Sequence, residues 1–217
     1  PDYTEIQTVE TIKNKSQVLH LGMDLRSFDK IKIKKKKKNN PIILWNHRWE
    51  YDKNPELFFS ILKNINSRDI NFSLVIIGEN FSNSPSIFSE AKKKFKEKII
   101  KWGYAKSKKE YAKWLWKSDI LPVTSNQEFF GASVMEAIYC NTWPILPNRL
   151  TYPELLPKEL HNSHLYNNQK ELTKKLIWAI DNLSTIRNKK LRFVSKPYDW
   201  NTIAPIYDKT LAKIKEN

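Results

Sequence analysis

The chain is poor in the residues that usually announce a site. It has four glycines and one cysteine among 217 residues. So few glycines leave no G-x-G-x-x-G and no Walker loop, which disfavours dinucleotide-binding and P-loop readings. A lone Cys140 cannot form an internal disulfide, and its apolar surroundings read as a buried thiol in a reducing, cytoplasmic setting. A nucleophilic role needs an activating base, and no histidine lies near it in sequence. No apolar run approaches the roughly 18 residues of a membrane helix, and no signal peptide is visible. His161 and His164 are spaced too closely, with too few nearby carboxylates, to suggest a metal site. Arginine is scarce, at six of 38 basic residues.

Hydrophobic residues make up 40% of the chain, with 12% aromatic. That supplies a core for one large domain or two small ones and excludes disorder for most of the length. The net charge of +15 invites a nucleic-acid partner. However, Lys, Asn and Ile crowd the sequence, and such a bias raises charge without selecting a partner. The run Lys34 to Lys38 reads as a solvated linker. The charge still helps a polyanionic acceptor to dock through phosphate attraction. The chain opens at Pro1 and its first Met is Met23. It therefore reads as a fragment, or a processed or trimmed chain, from which an upstream domain is missing.

Residues 1 to 40 form a weakly patterned lead-in and basic linker, with one short candidate strand at Val18 to Leu21. Residues 41 to 217 form the body. Ile42 to Trp45 is a continuous apolar run suited to a strand buried on both faces. Asn54-Pro55 is an N-cap followed by Pro at the first helical position. A second strand, Phe72 to Ile77, is stopped by Gly78, and Ser84-Pro85 opens another helix. Ile99 to Tyr104 is a third strand. Ser107 and Glu110 form a capping box before a helix through Trp116. Asp119 to Val123, Trp143 to Leu146 and His164 to Tyr166 are the remaining strands. Helices follow at Gly131 to Tyr139 and from about Lys170. This alternation predicts an α/β fold: a Rossmann-like parallel sheet with helices on both faces, which binds ligands beyond the carboxyl ends of its strands.

The loop after the fourth strand carries Glu128 and Glu136, with seven residues between them. Gly131, Ala132 and Ser133 are small and open the next helix, where free N–H groups and the positive dipole end suit a diphosphate. Glu136 lies about 7.5 Å further along the helix axis. There a carboxylate repels phosphate but can accept two hydrogen bonds from a cis-diol such as ribose. Glu128 falls on the other side of the phosphates, where a sugar sits. Two glutamates at this spacing also suit an ordinary amphipathic helix. In the loop after the first strand, Arg48 and Lys53 can neutralise a departing diphosphate. His47 is either a base or a packing residue. Tyr104 ends the third strand, as a nucleobase contact or a core tyrosine.

Together these features resemble the C-terminal donor domain of retaining family-4 glycosyltransferases of the GT-B fold. The Glu128–Glu136 spacing and the Arg48–Lys53 pair match. A nearer resemblance is to the tRNA-queuosine α-mannosyltransferase family. It rests on Ile43 to Lys53, Gly78-Glu79-Asn80-Phe81, Trp102-Gly103-Tyr104, Glu128-Phe129-Phe130-Gly131, Glu136 to Cys140 and Tyr152-Pro153-Glu154. Gln127 stands where some relatives carry His. Asn141 stands where glycine is common, and Asn tolerates the left-handed conformation of a helix end. The resemblance implies a catalytic set of Glu128, Arg48 and Lys53. It implies donor contacts from Glu136, Phe130, Gly131, Ala132, Ser133, Tyr104 and His47. It further implies GDP-mannose as donor, queuosine in tRNA as acceptor, and no metal or other cofactor. Without an N-terminal half, the chain is expected to bind donor but hardly turn over. Two rivals stay open: a family-4 transferase using a UDP-sugar on a lipid or polysaccharide, and a non-catalytic basic nucleic-acid-binding module.

Overall fold

A computed structural model describes residues 6–33, 40–80 and 84–215. The Lys34 to Lys38 run and Phe81 lie outside the described residues. Six strands, β1 (Ile42–Trp45), β2 (Ser73–Ile76), β3 (Ile99–Trp102), β4 (Ile120–Pro122), β5 (Trp143–Pro147) and β6 (Leu165–Tyr166), form one sheet in the order β3-β2-β1-β4-β5-β6. Every pairing is parallel, with Ile42 opposite Ser73 and Ile43 opposite Ile120. Among the described residues, the helices in chain order are α1 (Ile6–Asn14), α2 (Pro55–Asn66), α3 (Ile87–Lys94), α4 (Lys108–Lys117), α5 (Ala132–Tyr139), α6 (Tyr152–Leu155), α7 (Lys158–His164), α8 (Gln169–Asp181), α9 (Leu183–Asn188), α10 (Arg192–Ser195) and α11 (Trp200–Lys215).

The apolar runs become strands because both faces of the sheet are covered. Ile43, Leu44, Trp45, Leu74, Val75 and Ile76 are fully buried, whereas Ile100 on the edge strand β3 is exposed. Helix α2 packs with α3 and with α8, while α5 packs with α4 and α10. Strand order reverses between β1 and β4, so the crevice outside their carboxyl ends is the natural ligand position.

The expected caps form. Asn54 Oδ1 accepts from Leu57 N at 3.2 Å, and Ser107 Oγ accepts from Glu110 N at 3.1 Å. The capping box is only half made, because the Glu110 carboxylate turns to Lys106 N and Lys101 Nζ, each at 2.8 Å. The Lys101 ammonium and the Lys106 amide hold that carboxyl down at about 2. Ser86 caps α3 without a side-chain bond, so Ser84-Pro85 marks the approach to that helix and not its first turn. Asn141 adopts φ of 59°, the left-handed geometry expected after α5.

The segment before residue 40 differs from its sequence reading in two ways. No strand forms at Val18 to Leu21; the nearest sheet-like contact is an isolated bridge between Met23 and Asp199. Met23, Leu25 and Phe28 are also buried in the core. The Trp116 indole donates to the Phe28 carbonyl at 2.9 Å. Gly22 makes this docking possible, since a Cβ there would come within 2.5 Å of the Trp200 ring. At the opposite edge of the sheet from the crevice, Arg187 makes a two-pronged ion pair with fully buried Asp119, each prong 2.8 Å.

Candidate active site

Three loops on the carboxyl rim are tied into one platform. Thr124 Oγ1 donates to the Lys53 and Asn54 carbonyls at 2.8 and 3.0 Å. Asn126 N donates to Asp52 O at 2.7 Å. Arg149 Nη2 donates to Ser125 O at 3.0 Å. The loop after β1 therefore cannot move independently of the loop after β4. Gly78, at φ +147°, brings the loop after β2 so close that a Cβ would lie 1.9 Å from the His47 carbonyl oxygen.

On this platform Lys53 meets Glu128. Lys53 is buried, and its ammonium donates to Gln127 O at 3.0 Å and reaches Glu128 Oε2 at 3.4 Å and Asp52 Oδ2 at 2.9 Å. Glu128 Oε1 accepts from Phe129 N at 3.2 Å. A buried cation held by two carboxylates sets charge at the mouth of the crevice without leaving either sign alone. Arg48 behaves differently: it is half-exposed and pairs with Glu50 at 3.0 Å. Arg48 and Lys53 thus both reach the same oxygen, Asp52 Oδ2, at 4.0 and 2.9 Å.

Gly131 enters α5 in the left-handed region at φ 88°. Ala132 and Ser133 form the first turn. Ser133 is also held from the β1 side: its carbonyl accepts from Asn46 Nδ2 at 2.8 Å, and its hydroxyl lies 3.2 Å from His47 Nδ1. Burial, aided by the Lys53 charge, pushes His47 down to about 3. It is a neutral imidazole held against the first turn of α5 by the Ser133 hydroxyl. Its Nε2 and Asn46 Oδ1 are buried without a hydrogen-bond partner among the described residues.

Glu136, one and a half turns into α5, borders a cavity of about 390 Å³ that Tyr104, Lys108, Tyr111 and Gly78 also line. Tyr111 OH donates to Glu136 Oε2 at 2.8 Å and lies 3.3 Å from Asn46 Nδ2. Burial raises the Glu136 carboxyl above its usual range, while the Tyr111 hydroxyl and the Lys108 charge oppose that shift. Tyr104 is 65% exposed at the cavity rim. It is available to a ligand and is not the core tyrosine of the alternative reading. Phe130 packs edge-on against Tyr198, 5.1 Å between ring centres, and anchors the loop. Its neighbour Phe129 is 97% exposed.

The structure therefore gathers the expected residues into two adjoining groups. Lys53 and Glu128 sit at the crevice mouth, and Tyr104 and Glu136 share a cavity beside it. Arg48 is near the first group but points its charge at Glu50. Asn46, Tyr111 and Arg149 were missed in sequence. Asn46 had a usable signal, as the first polar residue after a buried strand. Tyr111 had none, since only packing of α4 against α5 brings it to Glu136. Among the described residues, no group of three or more His, Cys, Asp or Glu is placed to hold a metal ion. No helix among them is long and apolar enough to cross a membrane.

A family model described as "Glycosyl transferases group 1" matches residues 27–205. The chain belongs to this family. Its start at residue 27 agrees with the packing of Phe28 into the core. The chain is 35% identical over 186 residues to the tRNA-queuosine alpha-mannosyltransferase of Drosophila melanogaster, covering 81% of this chain and 47% of that protein. It thus spans about half the length of that curated relative. Among solved structures, a glycosyltransferase from Rickettsia africae superposes with a TM-score of 0.74 at 20% identity, over 94% of this chain and 58% of that one. The C-terminal domain of the group 1 glycosyl transferase LpcC from Francisella tularensis superposes with a TM-score of 0.55 at 19% identity, over 88% of this chain and 96% of that one. These likenesses place the fold, a Rossmann-like domain of a GT-B glycosyltransferase.

Proposed function

We propose that this group 1 glycosyltransferase chain is the donor-binding half of a retaining mannosyltransferase that uses GDP-mannose and acts on queuosine in tRNA. One observation carries the donor reading: Glu136 borders the 390 Å³ cavity, and among the described residues only its Oε2 is held, by Tyr111. A carboxylate with a free oxygen beside an aromatic-rimmed cavity suits a ribose diol with its base against Tyr104. The first turn of α5 is then adjacent to the diphosphate, with N–H groups at Ala132 and Ser133. Lys53 and Arg48 stabilise the charge that grows as the sugar–phosphate bond breaks. Those cations serve in place of a metal. Glu128, beside Lys53, positions the hexose. The acceptor hydroxyl attacks from the same face that the diphosphate leaves, which accounts for retention.

The acceptor reading rests on likeness to a protein named as a tRNA-queuosine mannosyltransferase. On this reading the protein works in the cytoplasm, with the remaining acceptor contacts supplied by an N-terminal half. The isolated chain then binds donor and turns over little. Calorimetric titration with GDP, UDP, GDP-mannose and UDP-glucose tests the donor. Preference for the guanine nucleotides supports the reading. Preference for UDP would replace it with a UDP-sugar transferase, and no nucleotide binding at all would leave only a basic binding module.

A further inference from the structure

A second cleft of about 620 Å³ lies between α7 and α8, along the β6 edge of the sheet. Asn148, which follows β5, and Asn167, which follows β6, stand at its edge with their amides 2.9 Å apart. Its wall is Trp178, 44% exposed. That ring rests on buried Trp143, 5.9 Å between centres, which in turn packs 4.1 Å from the buried His164 ring. Trp178 is therefore an exposed aromatic surface with rigid backing.

The cleft is cationic. Lys174 is exposed, and Lys175 spans the cleft to the Asn162 carbonyl. The one acid at its edge, Glu171, is engaged with the Asn167 backbone N–H at 2.8 Å. On the other side of α8, Lys174 borders another cavity with Lys170 and Arg68. Among the described residues no carboxylate lies within ion-pair distance of these four cations. Lys170 and Lys174 are one turn apart, about 6 Å along the axis. A backed aromatic ring, side-chain amides and cations that outnumber the one nearby carboxylate, Glu171, form the recognition set for an unpaired nucleotide strand, in which bases stack and phosphates meet lysines. A lipid headgroup would use the cations and leave the backed ring idle.

We propose that the α7–α8 cleft docks a single-stranded stretch of the RNA acceptor, with a base on Trp178 and phosphates at Lys174 and Lys175. That the strand is RNA rests on the acceptor reading above; the cleft chemistry does not depend on the donor site.

The test is fluorescence anisotropy of a labelled twelve-nucleotide U-rich RNA titrated with the 217-residue chain across a range of KCl. Trp178→Ala is expected to weaken binding by about fivefold to a hundredfold, as loss of one base stack does, with the salt slope unchanged. Lys174→Glu with Lys175→Glu is expected to flatten the slope of log affinity against log salt by about 1.4. Thermal melting checks that each variant folds, and vesicles containing phosphatidylglycerol serve as the competing anion. Unchanged RNA affinity in folded Trp178→Ala would overturn the proposal. So would vesicle binding that depends on Trp178 while RNA binding does not. GDP-mannose titrated into the wild-type chain reports on the donor site separately. RNA binding through Trp178 without GDP-mannose binding would sink the donor reading and leave the cleft standing.

Discussion

Replacing Tyr111 with Phe isolates one hydrogen bond at the donor cavity. The ring stays, and its packing with Phe28, 6.2 Å between centres, is retained. What is lost is the hydroxyl that donates to Glu136 Oε2 at 2.8 Å. Asn46 keeps its stronger bond to Ser133 O at 2.8 Å, so the damage should fall on Glu136. A hydrogen bond to a charged acceptor contributes about 1.5–3 kcal/mol. Part of that returns when solvent reaches the carboxylate, which leaves about 1–2 kcal/mol, or roughly fivefold to thirtyfold in nucleotide affinity. The effect should depend on the ribose. Wild type should prefer GDP over 2′,3′-dideoxy-GDP, and the variant should lose much of that preference. Calorimetry with both ligands is the assay. The variant also has a pH signature. The hydroxyl lowers the Glu136 pKa against the raising effect of burial, so its removal moves that pKa further up. A raised carboxyl destabilises the fold above its pKa and not below, so the stability deficit of the variant should shrink as pH falls through the Glu136 titration. If Tyr111→Phe binds GDP as tightly as wild type with the same ribose preference, the positioning of Glu136 by Tyr111 is refuted.

Other outcomes follow from the same contacts. Lys53→Met should weaken GDP by about tenfold to a hundredfold and GMP much less, because the lost cation serves the second phosphate; equal losses for both ligands in calorimetry would count against that role. Arg187→Ala leaves buried Asp119 without its cation and should cost about 3–5 kcal/mol, lowering the melting temperature by roughly 10 °C; a drop of a degree or two in a thermal scan would contradict it. Burial holds His164 down at about 4 and, with the Lys53 charge, His47 at about 3, each from an ordinary 6.5. Neutral buried imidazoles support the fold fully above 6.5, so stability should fall as pH drops from there toward 4; a flat melting temperature across that window would show that neither is buried neutral.

Much of this was legible in the chain because the sheet is buried on both faces. Continuous runs such as Ile42 to Trp45 have few other interpretations, and Asn54-Pro55 and Ser107 are local signals that need no tertiary knowledge. Asn141 in the left-handed region is another local rule that held. The lead-in was less legible. Met23, Leu25 and Phe28 are spread among polar residues, and only their docking beside Tyr198 and Trp116 buries them. The sites divide in the same way. Lys53 and Glu128 lie in loops that follow adjacent strands, so the parallel topology alone predicts their meeting. Tyr111 reaches Glu136 from a helix surface whose rotation the sequence does not set. Arg48 lies with Lys53 on Asp52 as expected from their shared loop, while its ion pair with Glu50 in that same loop was not foreseen.

The central claim is that Glu136 is the ribose-binding group of a donor site. Isothermal calorimetry of GDP-mannose with wild-type chain and with Glu136→Ala tests it most directly. The account predicts measurable binding to wild type, and for the variant a loss of about tenfold or more, since both ribose hydrogen bonds to a carboxylate disappear. Equal affinity for the two proteins, with the variant folded, would contradict the account.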